Sequence, residues 1–266
     1  MADDHGNGPA EKIDTTVPQS SRIWNYWMGG KDHYEIDREA GDAYAAGYPG
    51  IFAQARESRN YLMRVVEFLA GEAGVSQFVD VGTGLPTMQN THEVAQRINP
   101  ETRIVYFDND PVVLAHARAL LSNTTPEGVT VYIDSDFHRI DKIIADAQKT
   151  LDLSQPVALM FMGVLGHAES WESARSTISG LMNEVPSGSY LAHWDGADTS
   201  AAHNQVNAAY NSTGAVPYNL RSPERITALY EGLDVLEPGI VDISQWGPGP
   251  APSPAVDAYG GVARKP

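Results

Sequence analysis

The chain has 266 residues, 42% of them apolar and none of them cysteine. That length and content suffice for one large α/β domain or two small ones, and the missing thiol excludes disulfides, Cys-ligated zinc, iron–sulfur clusters and a cysteine nucleophile. With 18 basic against 34 acidic residues the formal charge is −16, which opposes binding to a phosphate backbone; nucleic acid is not an expected partner, and with no run of about 20 apolar residues neither is a membrane.

Residues 1–16 are polar and acidic and have neither the basic nor the apolar part of a secretory signal. They read as a disordered tail, and the absence of cysteine fits a reducing, cytoplasmic setting. From Val17 to Gly50 the text changes: Trp24, Tyr26 and Trp27 gather ahead of Gly29-Gly30, and a polar stretch with Tyr34, Ile36 and Ala40 follows. One or two short helices broken at the glycine pair are expected. Residues 17–50 form either a helical segment docked on the core or a lid over a ligand.

Phe52 to Ala73 repeats apolar residues near the 3.6 period and ends at Gly71 and Gly74, the pattern of a long helix. Apolar runs then alternate with helical stretches. QFVDVG, RIVYFDND, VTVYIDSDF, PVALMFMGVLG and SGSYLAHWD read as strands. They are nearly continuous in apolar residues, as strands covered on both faces must be. Asp110 and Pro111 supply an N-cap and a first turn for the helix after the second run. The fold class this predicts is α/β, doubly wound, a mostly parallel seven-stranded Rossmann-like sheet.

Beyond Asp198 the pattern weakens. Ser222 and Pro223 cap a short helix, and DVLEPGIVDISQW reads as two short strands joined at Pro238-Gly239. Residues 51–247 are assigned to the ligand-binding domain. Residues 248–266 are so rich in proline and glycine that a tail without regular structure is expected.

The chemistry concentrates at the ends of the runs. In FVDVGTGLP the glycines at 82 and 84 permit a sharp turn and close approach of backbone to a ligand, and the next helix offers free N–H groups. The sequence lacks the GxxxxGK[ST] of a phosphate loop, and Thr87 stands where a dinucleotide turn has its third glycine. Asp80 places an acid where a pyrophosphate wants none. It suits instead the cationic sulfonium and zwitterionic tail of S-adenosylmethionine (SAM). Asp108 ends the second run and is placed to accept ribose hydroxyls. Asp136, preferred over a more buried Asp134, and Phe137 end the third run, where an adenine would lie. Met162 and Gly163 leave the fourth, near the expected sulfonium. Ligands of open α/β sheets bind at this carboxyl edge.

With these motifs in place the chain resembles class I SAM-dependent methyltransferases over residues 76–195. More closely, SSRIWNYWMGGKDHY, FVDVGTGLPT, HEVAQRINPETRIVYFDNDPVVLAHARALL and GSYLAHWD resemble a bacterial S-adenosyl methyltransferase family from about Pro18 to Trp246. The resemblance implies SAM contacts at Gly82, Thr83, Gly84, Asp108, Asn109, Asp136 and Phe137. It also favours a lid over Arg22 to Lys31, with Arg22, Tyr26 and Gly30 reaching the cofactor. Pro86 stands where the usual methyltransferase turn has its third glycine, although GLPT is the form this family shows, and in the VLGHAES run His167 is shifted by Gly166 and followed by alanine where the family has a His-Phe pair.

Methyl transfer needs an acceptor held in line, water excluded and, for oxygen or nitrogen acceptors, a base. His33, His167, His193 and Asp195 are the candidates, with His193 and Asp195 flanking Trp194 on the expected acceptor side. No metal is expected. The expected function is transfer of a methyl group from SAM to a small molecule. The alternative is a SAM- or nucleoside-binding regulator without activity. A nicotinamide oxidoreductase fits less well because of Asp80 and Thr87.

Overall fold

The computed structural model describes residues 13–86, 89–120, 123–247 and 254–266. The assigned tail residues 1–12, Thr87, and 248–253 of the C-terminal segment lie outside the described residues.

Two short helices come first, α1 (Ser20–Trp27) and α2 (Glu35–Gly47). They break at the predicted place, with Gly29 at φ +83°. Helix α3 (Ile51–Glu67) follows and runs into a π-helical turn at Phe68–Glu72 before Gly74 stops it. The alternating unit then unfolds in order: β1 (Gln77–Val81), α4 (Thr91–Ile98), β2 (Arg103–Asp108), α5 (Pro111–Leu120), β3 (Val129–Asp134), α6 (Ile140–Ala147), β4 (Ala158–Met162), α7 (Trp171–Glu184) and β5 (Tyr190–Gly196). The last part holds α8 (Ala201–Tyr210), α9 (Pro223–Thr227), the two-residue strands β6 (Asp234–Val235) and β7 (Val241–Asp242), and β8 (Ala258–Arg264). Among the described residues no helix is long and apolar enough to cross a membrane.

The caps follow from sequence. Asp110 accepts from the Val112 N–H at 2.8 Å and starts α5. Ser222 accepts from the Arg225 N–H and starts α9 with Pro223 at its first turn. Asn90 and Glu93 form a reciprocal capping box at α4.

The strands form one sheet in the order β3-β2-β1-β4-β5-β8-β6, with β7 also on β8. Strands β1 to β5 are parallel, and β8 is antiparallel to β5. The sheet is therefore the doubly wound, mostly parallel one expected, with eight strands instead of seven because β8 joins it. The C-terminal expectation needs correction: residues 258–264 are a core strand between β5 and β6, not a tail without regular structure. Their glycines are there because of what they pack against. A Cβ at Gly260 would overlap the His193 carbonyl and Trp194.

Side chains alternate between two buried layers. Val79, Val105, Phe107, Leu159, Phe161 and Leu191 join the layer beneath α6 and α7. Phe78, Ile104, Tyr106, Met160, Ala192 and Trp194 join the layer that includes α3 and α4. This parity decides which strand-end residues meet. Asp80, Asp108, Met162 and Trp194 share the α3 side, because each stands an even number of residues from Phe78, Ile104, Met160 and Ala192 respectively. His193 and Asp195 share the opposite side.

Candidate cofactor and acceptor site

The carboxyl ends of β1, β2, β3 and β4 open into a cavity of about 550 Å³, within the range of sites for small ligands. Asp80, Gly82, Thr83, Gly84, Asp108, Asn109, Asp136, Phe137, Met162 and Gly163 all line it. The β1 turn is built as predicted: Gly82 and Gly84 have φ of +70° and +66°. A Cβ on Gly82 would collide with Val164, whereas Gly84 faces open space. Gly163, at φ +81°, lies against Trp194 with no room for a side chain.

Asp108 ties the turns together. Its Oδ2 accepts from the Gly84 N–H at 2.8 Å and its Oδ1 from the Asp110 N–H at 2.9 Å. Each oxygen keeps a lone pair for a further donor. Asp80 is 2% exposed and accepts from the Thr91 hydroxyl at 2.7 Å. Burial pushes both carboxyl pKa values up to about 6, against these hydrogen bonds and, for Asp80, the nearby Arg59 charge. Arg59 projects from α3 into the same cavity. Motif reading missed it, because its signal is a cation on the helix face turned toward Asp80.

Asp136 lines the cavity but is engaged locally, accepting from the His138 N–H at 2.8 Å and lying 2.7 Å from its Nδ1. Asp134, set aside because it lies nearer the strand, is exposed at the end of the edge strand. The Phe137 ring stacks beside His138 with centroids 4.0 Å apart.

Helix α1 roofs the cavity, and of the expected Arg22, Tyr26 and Gly30 only Arg22 lines it. Trp24, Trp27 and Met28 face in. Tyr26 points to α2, where its hydroxyl donates to Asp42 at 2.6 Å, and Gly30 donates its N–H to Asn25 at 2.8 Å outside the lining. Arg22 borders the cavity, yet its guanidinium is engaged by Asp37 at 2.9 Å and by the carbonyls of Asp14 at 3.0 Å and Val17 at 2.6 Å. Its evident work is to pin α1 to α2 and to the preceding strand of chain. The helical period explains the change: the face that carries Trp24, Trp27 and Met28 lies about 100–200° from that of Tyr26.

The candidate bases separate by position. His33 packs on Tyr26 outside the cavity lining. His193 is fully buried, 3.2 Å from Asp195 and beneath Tyr230. Asp195 is held by Arg221 at 2.9 Å, the Gly166 N–H and the Tyr218 hydroxyl. Both lie outside the lining because strand alternation turns them away from Trp194. His167 does border the cavity. Its Nδ1 donates to the Pro217 carbonyl at 2.9 Å, which leaves Nε2 with its lone pair. Burial lowers the His167 pKa and keeps the ring neutral near pH 7.

The profile of the S-adenosyl methyltransferase family matches residues 6–266. The chain belongs to the S-adenosyl methyltransferase family. A DUF574 family protein from Streptomyces avermitilis is 40% identical, covers 96% of this chain and 100% of its own, and superposes with a TM-score of 0.91. A candidate methyltransferase from Thermobifida fusca is 36% identical, covering 95% and 96% of the two chains, with a TM-score of 0.87. The mitomycin 7-O-methyltransferase MmcR shares the fold at 15% identity, a TM-score of 0.54 and 92% and 71% coverage. No curated protein sequence matches. As an S-adenosyl methyltransferase the chain uses SAM as its methyl donor. The methyltransferase cavity fits that cofactor: open backbone above Gly84, a buried acid at the end of β2, and a carboxylate and a guanidinium together beside the β1 turn.

Proposed function

We propose that this methyltransferase acts on a small molecule, and that the cavity wall divides its labour as follows. Gly82, Thr83 and Gly84 bring backbone against the methionine part of SAM. Asp80 meets the ammonium and Arg59 the carboxylate of that part. Asp108 accepts from the ribose hydroxyls and Asn109 borders them; Phe137 packs on the adenine, with Asp136 at its edge. Met162 and Gly163 flank the sulfonium. SAM supplies an activated methyl group on a good leaving group.

The chain's part is to hold the acceptor in line, exclude water and take a proton. His167 is the candidate base. For an O–H or N–H acceptor, Nε2 would take the proton that the acceptor gives up as it is methylated. A cavity of about 550 Å³ and a net charge of −16 favour a small acceptor over nucleic acid. The lack of cysteine agrees with a cytoplasmic enzyme.

The bond from the Gly84 N–H to Asp108 carries this reading, since it couples the glycine turn after β1 to the acid that ends the neighbouring strand β2. Titration calorimetry tests it. SAM and S-adenosylhomocysteine should bind near micromolar, about −8 kcal/mol, with NAD and ATP far weaker. Asp108→Ala should cost roughly 1.5–3 kcal/mol of that affinity, as for hydrogen bonds to a charged group. Unchanged affinity would remove Asp108 from the ribose site.

A further inference from the structure

Beyond the strand ends the cavity continues between α1, α2, α8 and the chain around Tyr218. Its wall there is aromatic, formed by Trp24, Trp27, Tyr44, Trp194, His203 and Tyr210. Trp24 lies over Trp194 with centroids 5.8 Å apart at 32°. Two polar atoms of this wall have no protein partner among the described residues: Trp194 Nε1 and His203 Nδ1. Their side chains are 3% and 1% exposed. Buried polar atoms are nearly always partnered, and these two belong to residues of one aromatic cavity wall, which points to a ligand seated against it. They differ in kind, because an indole N–H can only donate and a neutral imidazole keeps one acceptor nitrogen.

His203 is held for that role. Its ring stacks on Tyr48 at 4.4 Å and 11°, and the Tyr48 hydroxyl is fixed by Asp257 at 2.7 Å. Burial lowers the imidazole pKa, so the ring stays neutral and keeps one acceptor nitrogen. The charges of the cavity lie elsewhere. Asp80, Asp108, Asp110, Asp136 and Arg59 line the strand-end part. Arg22 is matched by Asp37, and Asp14 accepts from Thr16. An ionised acceptor entering the aromatic part would lose its hydration without an opposite charge in return.

Resting on the methyltransferase reading, we infer that the acceptor is an uncharged aromatic molecule, positioned by Trp194 donating to one of its oxygens and by His203 accepting from its O–H or N–H. An aryl hydroxyl carries both functions, an acceptor oxygen and an O–H donor. His203 is a specificity-determining residue here, distinct from the base His167.

The test uses the full chain loaded with S-adenosylhomocysteine and three probes: 2-naphthol, 2-methoxynaphthalene and 6-hydroxy-2-naphthoate. Binding is followed by calorimetry and tryptophan fluorescence. The expected order is 2-naphthol tightest, the ether at least tenfold weaker through loss of its donor, and the carboxylate weaker still. His203→Gln and Trp194→Phe should each weaken 2-naphthol about tenfold while leaving S-adenosylhomocysteine affinity unchanged; Trp194→Phe should also weaken the ether. Failure of S-adenosylhomocysteine to bind overturns the cofactor reading itself. If it binds, but the naphthoate equals or exceeds 2-naphthol, or no naphthalene binds at millimolar concentration, the acceptor proposal falls. Those comparisons on the unaltered protein decide the matter even if a variant fails to fold.

Discussion

Asp80 is a carboxylate placed where ionisation is costly. It is buried beneath α4, near the like charge of Asp108, and its pKa stands near 6 against a usual 3.8. A raised carboxyl pKa means that the folded chain holds a proton which the unfolded chain has released. The stability this contributes is complete below about pH 4 and is lost as pH rises to about 6. Asp80→Asn, which keeps an acceptor for Thr91, should therefore gain on the parent as pH rises, by roughly 1–3 kcal/mol at pH 7. Paired urea melts of the SAM-free proteins at pH 4.5 and 7 measure it, and a pH-independent difference would show that Asp80 ionises normally. The same variant should bind SAM more weakly, since the cation of the methionine tail is what offsets the buried charge. Asp80, Asp108 and the glycine turn were legible because a strand-end acid and a positive-φ glycine leave one-letter traces. Trp194 and His203 left none: a tryptophan inside an apolar strand and a histidine in a polar helical stretch match no ligand motif. His193 and Asp195 were misplaced by ignoring a rule the sequence does contain, that neighbours in a strand face opposite ways.

Helix α1 and the turn that follows it are both tied to their surroundings. Arg22 pairs with Asp37 on α2, Ser21 bonds Asp110 at the start of α5, and Asp32 lies 3.2 Å from His116 on α5. The Arg22–Asp37 pair is almost fully buried, so deleting one partner leaves an uncompensated charge, a loss of about 3–5 kcal/mol. Arg22→Leu should loosen α1 and α2 and weaken SAM through loss of the roof, while the sheet still melts cooperatively; loss of the sheet with the roof would make the segment part of the core. The sequence located this break at the glycines but not its inward face, because aromatic residues on adjacent positions cannot all face one way on a helix. Docked helix and lid are not exclusive in this arrangement: the Ser21–Asp110 contact lies beside Asp108, where ribose hydroxyls would enter. Hydrogen exchange across residues 20–34 should fall when S-adenosylhomocysteine binds. Equal exchange in both states would leave α1 as a permanent wall.

In the whole molecule the end of the chain completes the site that its middle begins. Strand β8 pairs with every residue of β5 from Tyr190 to Gly196 and so fixes the strand that carries Trp194. Composition concealed this, because AYGGVAR follows a proline-rich run and its glycines look like loop residues. Physically they are contact residues: Gly260 lies against the His193 carbonyl and Trp194, and Gly261 is close to the Gly239 carbonyl. Neither demand is visible before the strands are paired, whereas the parallel strands announce themselves through continuous apolar runs. Gly260→Ala puts the two parts of the cavity in opposition. The added methyl must displace the β5 backbone or Trp194, a strain of about 1–3 kcal/mol, which for a domain of this size lowers Tm by several degrees. The displaced residue belongs to the aromatic wall, while the β1 turn and Asp108 lie across β4 from it. The variant should therefore keep its SAM affinity and lose binding of 2-naphthol. Calorimetry with each ligand separates the outcomes: equal losses for both would mean that β8 supports the sheet as a unit, and no loss for either would mean that Trp194 moves without consequence for the cavity.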